Sequence, residues 1–163
     1  MSVNDWKRIV DDHIDAAYPK EAFVDTKPLP TVPSDVTEWI NDCRTTVDGK
    51  ARGSDYLVYP FWKDIYEDDY WDVMVVAGRQ VFKTTYCSDI LAYYATTKKG
   101  AECCYVTHDE TSLSAFSNQR MRVGCFLENE TLRRFPKQQS TMGAVGELAL
   151  KNNSTIYMTT DQH

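Results

Sequence analysis

An α/β fold with a parallel sheet and flanking helices is the expectation for this chain, and three observations carry it. Residues 75–100, VVAGRQVFKTTYCSDILAYYATTKKG, read as a buried strand, a tight loop and a long helix. A second short apolar run, AECCYVT, follows directly. Near the end, GELALKNNSTIYMTT holds two strand-like runs split by Asn152-Asn153. Two strands separated by a helix make a βαβ unit, which implies a parallel pair.

The elements follow in order. NDWKRIVDDHIDAAY places Trp6, Ile9, Val10, Ile14 and Ala17 on one helical face, with His13 beside it as a packing or surface residue. Pro28, Pro30 and Pro33 then break regular structure in a linker. A second helix restarts at SDVTEWINDCRTTV. Asp35 is its expected cap, with Glu38 in capping-box position, and Val36, Trp39, Ile40, Cys43 and Val47 form its apolar stripe.

From Tyr56 aromatic residues accumulate and lead into the strand VMVVAG. The acidic run Glu67, Asp68, Asp69 and Asp72 reads as a solvated turn, since neighbouring carboxylates in one short stretch rarely converge on a metal without other ligands. In the helix after Lys83, Cys87, Ile90, Leu91 and Tyr94 form the expected apolar stripe. Lys98 and Lys99 suit its negative end, and Gly100 suits the left-handed residue that stops it. Thr107 and Glu110 are positioned as the capping box of the next helix, SLSAFSNQRM. Asparagine tolerates the left-handed conformation that a two-residue hairpin turn at 152–153 requires.

Bulk properties narrow the classes. The 163 residues suit one domain, and 42% hydrophobic content is enough for one packed core. A net charge of −6 and a pI near 5.0 disfavour a chain that grips nucleic acid over its whole surface. Five cysteines, Cys43, Cys87, Cys103, Cys104 and Cys125, form no CxxC pair or zinc spacing and read as free thiols of a reducing cytosol. No signal-like stretch and no apolar run near ~18 residues is present, so a soluble, intracellular chain is expected.

The chemistry concentrates in one loop. A phosphate cradle curls successive backbone N–H groups around the anion at a helix N-terminus, while a lysine reaches the outer phosphates and a Ser or Thr hydroxyl helps hold Mg²⁺. Here Ala77, Gly78, Arg79, Gln80, Val81, Phe82, Lys83 and Thr84 occupy the eight positions of G-x-x-x-x-G-K-[ST]. The first glycine is displaced by one, and Phe82 replaces the second. On the residues alone, a cradle and an ordinary strand-to-helix turn with a surface lysine fit equally.

AGRQVFKTTYCSDILAYYA resembles the nucleotide-binding loop of the large terminase subunits of tailed bacteriophages, the ATPases of DNA-packaging motors. Arg79-Gln80 followed by Lys83-Thr84 matches a variant of that loop. YPFWKDIYEDDYWDVMVVAG, ECCYVTHDETSLSAFSNQRMR and GELALKNNSTIYMTT resemble the flanking segments, so the resemblance spans roughly Tyr56 onward. It implies a P-loop NTPase-type sheet over 56–163, behind a helical segment over 1–55.

The implied ligands are ATP and Mg²⁺. Lys83 would meet the β and γ phosphates, Arg79 the γ-phosphate, Thr84 the Mg²⁺ and Thr85 the α-phosphate, with Gly78, Gln80, Val81 and Phe82 forming the loop. The implied partners are double-stranded DNA, the small terminase subunit and the portal protein, with a homo-oligomer on the portal compatible with the reading and the host cytoplasm as location. Two departures stand out. Phe82 stands where most relatives carry glycine, which threatens a costly φ. Tyr59, Pro60, Phe61 and Trp62 replace the adenine-contacting glutamine, with core packing the favoured role for Tyr59 and Trp62.

The acidic Walker B motif and the nuclease domain of the family do not follow Thr160. A sheet incomplete at the C-terminus, belonging to the N-terminal part of a longer protein and hydrolysing ATP poorly alone, is therefore expected. Alternatives are a DNA translocase or helicase of the same class, or a degenerate, non-catalytic nucleotide-binding-like domain. Elsewhere, His108-Asp109-Glu110 reads as helix capping, Cys103-Cys104 as structural, and Arg133, Arg134 and Lys137 as a solvated basic loop.

Overall fold

The computed structural model describes residues 28–44, 60–68, 70, 72–79, 81–137 and 146–161. The helix expected over 4–18, together with Val47, Tyr59, Asp69 and Gln80, lies outside the described residues. The fold is mixed α/β. Helices α1 (Val36–Cys43), α2 (Phe61–Glu67) and α3 (Lys83–Thr97) precede strand β1 (Glu102–Thr107). Helix α4 (Glu110–Ala115) then widens into a π-helical segment (Phe116–Leu127), followed by a 3₁₀ turn (Leu132–Arg134) and strands β2 (Glu147–Ala149) and β3 (Thr155–Thr160). No helix among the described residues is long and apolar enough to cross a membrane.

The sheet order is β1-β3-β2. β1 and β3 run parallel from Glu102↔Thr155 to Thr107↔Thr160, and β2 pairs antiparallel with β3. A parallel pair therefore exists, but it is not the expected one. Residues 73–78 form no strand among the described residues, and Met74 and Val76 are each 89% exposed. A strand needs a neighbour to satisfy its N–H and C=O groups, and apolar content alone does not supply one. The crossover that joins the parallel strands runs instead through α4 and its π-helical extension.

Helix α1 forms as its sequence dictates. The Asp35 carboxylate accepts from the Glu38 amide at 2.9 Å, and Val36, Trp39, Ile40 and Cys43 are buried. Burial, then Asp42, pushes the Cys43 thiol up to about 11, so this sulfur stays protonated and acts as a small apolar group. None of the five cysteines is in a disulfide.

Helix α3 has the expected bounds but a different inner face. Thr85, Ser88, Asp89, Ala92, Ala95 and Thr96 are buried at helical spacing, while Cys87, Ile90 and Leu91 are half-buried and Tyr94 is exposed. Polar partners decide this rotation. Arg44 Nε donates to Asp89 Oδ1 at 2.7 Å, and Tyr66 donates its hydroxyl to Asp89 Oδ2 at 2.8 Å. Trp39 Nε1 donates to Thr96 Oγ1 at 3.0 Å. A second donor of Arg44 reaches the Gly124 carbonyl at 2.8 Å in the π-helical segment. Burial alone would lower the Arg44 guanidinium, but Asp89 more than offsets this and holds it above its ordinary value. At Gly124 a Cβ would stand 3.0 Å from the Gln119 carbonyl of the same segment, a tight contact that glycine avoids.

The C-terminal end of α3 is closed by the hairpin. Asn152 Nδ2 donates to Ala95 O, Ser154 Oγ donates to Lys98 O, and Gly100, at φ +74, donates its amide to Asn152 O. The reversal spans 151–153 rather than two residues: Leu150 N donates to Ser154 O, and Asn153 alone takes the left-handed conformation, at φ 67. The cap of α4 also differs from the expected Thr107–Glu110 box. Asp109 is the N-cap and accepts from the Ser112 amide at 2.8 Å and from its hydroxyl at 2.7 Å.

Replacing Arg44 by Ala strands a buried carboxylate. The expected loss is about 3–5 kcal/mol of unfolding free energy in urea titration. Combining Arg44→Met with Asp89→Leu recovers most of it, because the apolar replacement carries no uncompensated charge.

Candidate phosphate-binding cleft

The candidate site lies where the loop turns into α3. Phe82 is the N-cap, at φ 63 and ψ 18, the left-handed region. A side chain there costs about 1–3 kcal/mol. The backbone thus adopts at Phe82 a conformation that glycine takes freely. The demand for glycine does not fall on Gly78, where a Cβ would meet nothing within 4 Å.

The strain at Phe82 is sustained by its neighbours. Trp62 is buried, stacks on Tyr86 with centroids 5.1 Å apart, and donates its indole N–H to the Val81 carbonyl at 2.8 Å. Trp62 therefore packs as expected and adds a hydrogen bond that pins the loop. Tyr86 N in turn donates to Phe82 O at 2.9 Å. Lys83 folds back, its ammonium donating to Ala77 O at 2.8 Å and to Gly78 O.

The helix end itself is electrostatically open. The Phe82 side chain makes no capping hydrogen bond, and no acidic residue stands in the first turn of α3. The first amides of a helix have no partner within it and carry the positive end of its dipole. A cleft of about 460 Å³ opens here, lined by Arg79, Val81, Phe82, Lys83, Thr84, Thr85 and Arg120. Thr84 is exposed to it. Thr85 is only 7% exposed, and its hydroxyl has no hydrogen-bond partner among the described residues. Among the described residues, Arg79 and Arg120 form no ion pair and no carboxylate lines the cleft.

The structure thus brings together Arg79, Val81, Phe82, Lys83, Thr84 and Thr85. Gly78 touches the group through its carbonyl, and Gln80 lies outside the described residues. Arg120 was not anticipated. It comes from the π-helical segment, and no local pattern links it to Lys83.

The other sequence candidates stay apart from the cleft. Asp109 caps α4; the Ser112 amide and hydroxyl hold its carboxyl below its ordinary value, with His108, 2.7 Å away, adding to this. Arg134 donates to Pro28 O at 2.6 Å. Glu67 accepts from the Thr37 hydroxyl, Asp68 accepts from the Tyr70 amide, and the described residues contain no cluster of three metal-ligating side chains. A second, wider cleft lies between α1, α2 and α3, walled by Tyr66, Tyr70, Tyr86, Tyr93 and Tyr94.

No family model matches the chain, and comparison with curated proteins and with solved structures gives no match either.

Trp62→Phe keeps one aromatic ring but removes the N–H and part of the buried indole. The expected cost is about 1–3 kcal/mol, from the lost hydrogen bond and the space left in the core. Amide exchange at 82–84 should quicken beyond the global change, because the loop loses its tie to α2.

Proposed function

We propose that this chain binds the phosphates of ATP at residues 78–85 and serves as the nucleotide-binding part of a DNA-packaging motor of the terminase large-subunit type. One observation carries the binding reading: a helix start whose N-cap side chain makes no capping bond, a buried Thr85 hydroxyl with no partner among the described residues, and three cations share one cleft in which no described residue supplies a counter-charge. An anion would engage all of these groups at once. The motor reading rests on the resemblance of Arg79-Gln80-x-x-Lys83-Thr84 to the terminase loop.

The residues fit such a ligand. The amides of the first turn of α3 would take one phosphate, as backbone N–H groups do at a helix N-terminus. Lys83 would exchange the Ala77 and Gly78 carbonyls for phosphate oxygens. Arg79 would hold an outer phosphate in a bidentate fork, where it can stabilise charge that develops in transfer. Thr85 would satisfy its hydroxyl on the anion, and Thr84 would offer one oxygen to Mg²⁺. Mg²⁺ takes its other oxygens from phosphates and water, and supplies charge neutralisation. Positioning is what these side chains contribute. The reading concerns binding: the described lining residues hold phosphates and Mg²⁺, and none of them is a carboxylate. Duplex DNA, a small terminase subunit and a portal ring are the partners it implies.

Calorimetry with Mg-ATP tests it. The chain should bind in the micromolar range, and Lys83→Ala should weaken binding by about 10–100-fold, the worth of a hydrogen bond to a charged group. Silence from the unsubstituted chain would reject the reading and favour a domain whose loop no longer binds nucleotide.

A further inference from the structure

We infer that Arg120 is a specificity-determining residue of the cleft, selecting ligands with two or more linked phosphates over a single phosphate. The inference rests on the phosphate-binding reading above and extends it to a residue outside the loop. Arg120 is carried by the π-helical segment, whose neighbouring positions are fixed. Ser117 and Met121 are fully buried, and Arg122 is 3% exposed and donates to the Glu147 carbonyl at 2.8 Å. Those anchors leave Arg120 on the open side of the segment, lining the cleft.

Charge argues for a ligand there. The sequence holds 24 acidic residues against 18 basic ones, so pairing partners are abundant. Yet neither Arg79 nor Arg120 has an ion pair among the described residues, and both face the same cleft as Lys83. Like charges gathered without a counter-ion repel. A single phosphate on the start of α3 is served by the amides, Thr85 and Lys83. It does not call for a further guanidinium from a separate element. A cleft of about 460 Å³ is within the range of small-molecule sites and roomier than one phosphate requires. A chain of phosphates would extend from the amides to Arg120, whose planar fork matches a phosphate bidentately.

The test uses phosphate, pyrophosphate and tripolyphosphate, each with Mg²⁺, measured by calorimetry on the chain, Arg120→Ala, Arg120→Lys and Lys83→Ala. Affinity of the chain should rise with phosphate number. Arg120→Ala should lose about tenfold or more for tripolyphosphate, as expected for a charge-assisted contact, and leave inorganic phosphate unchanged. Arg120→Lys should fall between, since lysine keeps the charge without the fork. The melting temperature should not move, because the side chain is exposed. Lys83→Ala weakened while Arg120→Ala binds like the chain, or equal loss for all three anions, overturns the Arg120 inference alone. No binding of any anion by the unsubstituted chain overturns the cleft reading and this inference with it.

Discussion

The buried ion pair between Arg44 and Asp89 is the constraint on which the rest of the molecule depends. Both charges are out of water, at 5% and 0% exposure. Desolvation of that kind is repaid only when geometry is good and the remaining donors and acceptors are met. Here the Tyr66 hydroxyl meets the second carboxylate oxygen, and the Gly124 carbonyl meets a second guanidinium donor. Four elements converge on this pair: the end of α1, α2, α3 and the π-helical segment. Because Asp89 must face inward, the rotation of α3 about its axis is set. The first turn then places Thr85 inward and Thr84 toward the cleft.

The two ends of α3 are treated in opposite ways. At its C-terminal end, Gly100, Asn152 and Ser154 supply partners to the helix and the chain just beyond it. At its N-terminal end the N-cap residue, Phe82, gives no side-chain capping bond and holds a left-handed conformation. Leaving that end open costs stability, and so does the φ of Phe82. Trp62, stacked on Tyr86 and bonded to Val81, holds the loop against that cost. A strained loop over an open helix start, with Arg79, Lys83 and Arg120 around it, is the arrangement an anion would complete. The Arg44–Asp89 pair supports the helix that presents it.

Local chemistry was legible in the sequence, and long-range pairing was not. The Asp35 cap, the span of α3, strand β1 and the β2–β3 hairpin all follow from patterns a few residues long, whereas α3 ends at an extended Lys98 and the left-handed Gly100 stands two residues beyond it. The loop residues that line the cleft were legible for the same reason, since all but Arg120 come from one short stretch of chain. Residues 73–78 misled because an apolar run reads as a strand whether or not a neighbour is there to bond it. The inner face of α3 misled because buried residues were sought among apolar ones, whereas Asp89 and Thr96 are drawn in by Arg44 and Trp39 from a distant helix. Arg120 stayed hidden because it joins the cleft only once the π-helical segment packs beside α3.

Backbone amide shifts during titration with inorganic phosphate test the central claim most directly, since they locate the anion residue by residue. The expected result is a saturable displacement centred on the amides of Phe82, Lys83, Thr84 and Thr85, with the rest of α3 still. Displacements centred elsewhere, such as on the basic turn at Arg133 and Arg134, or none at concentrations that saturate other phosphate sites, would contradict the account.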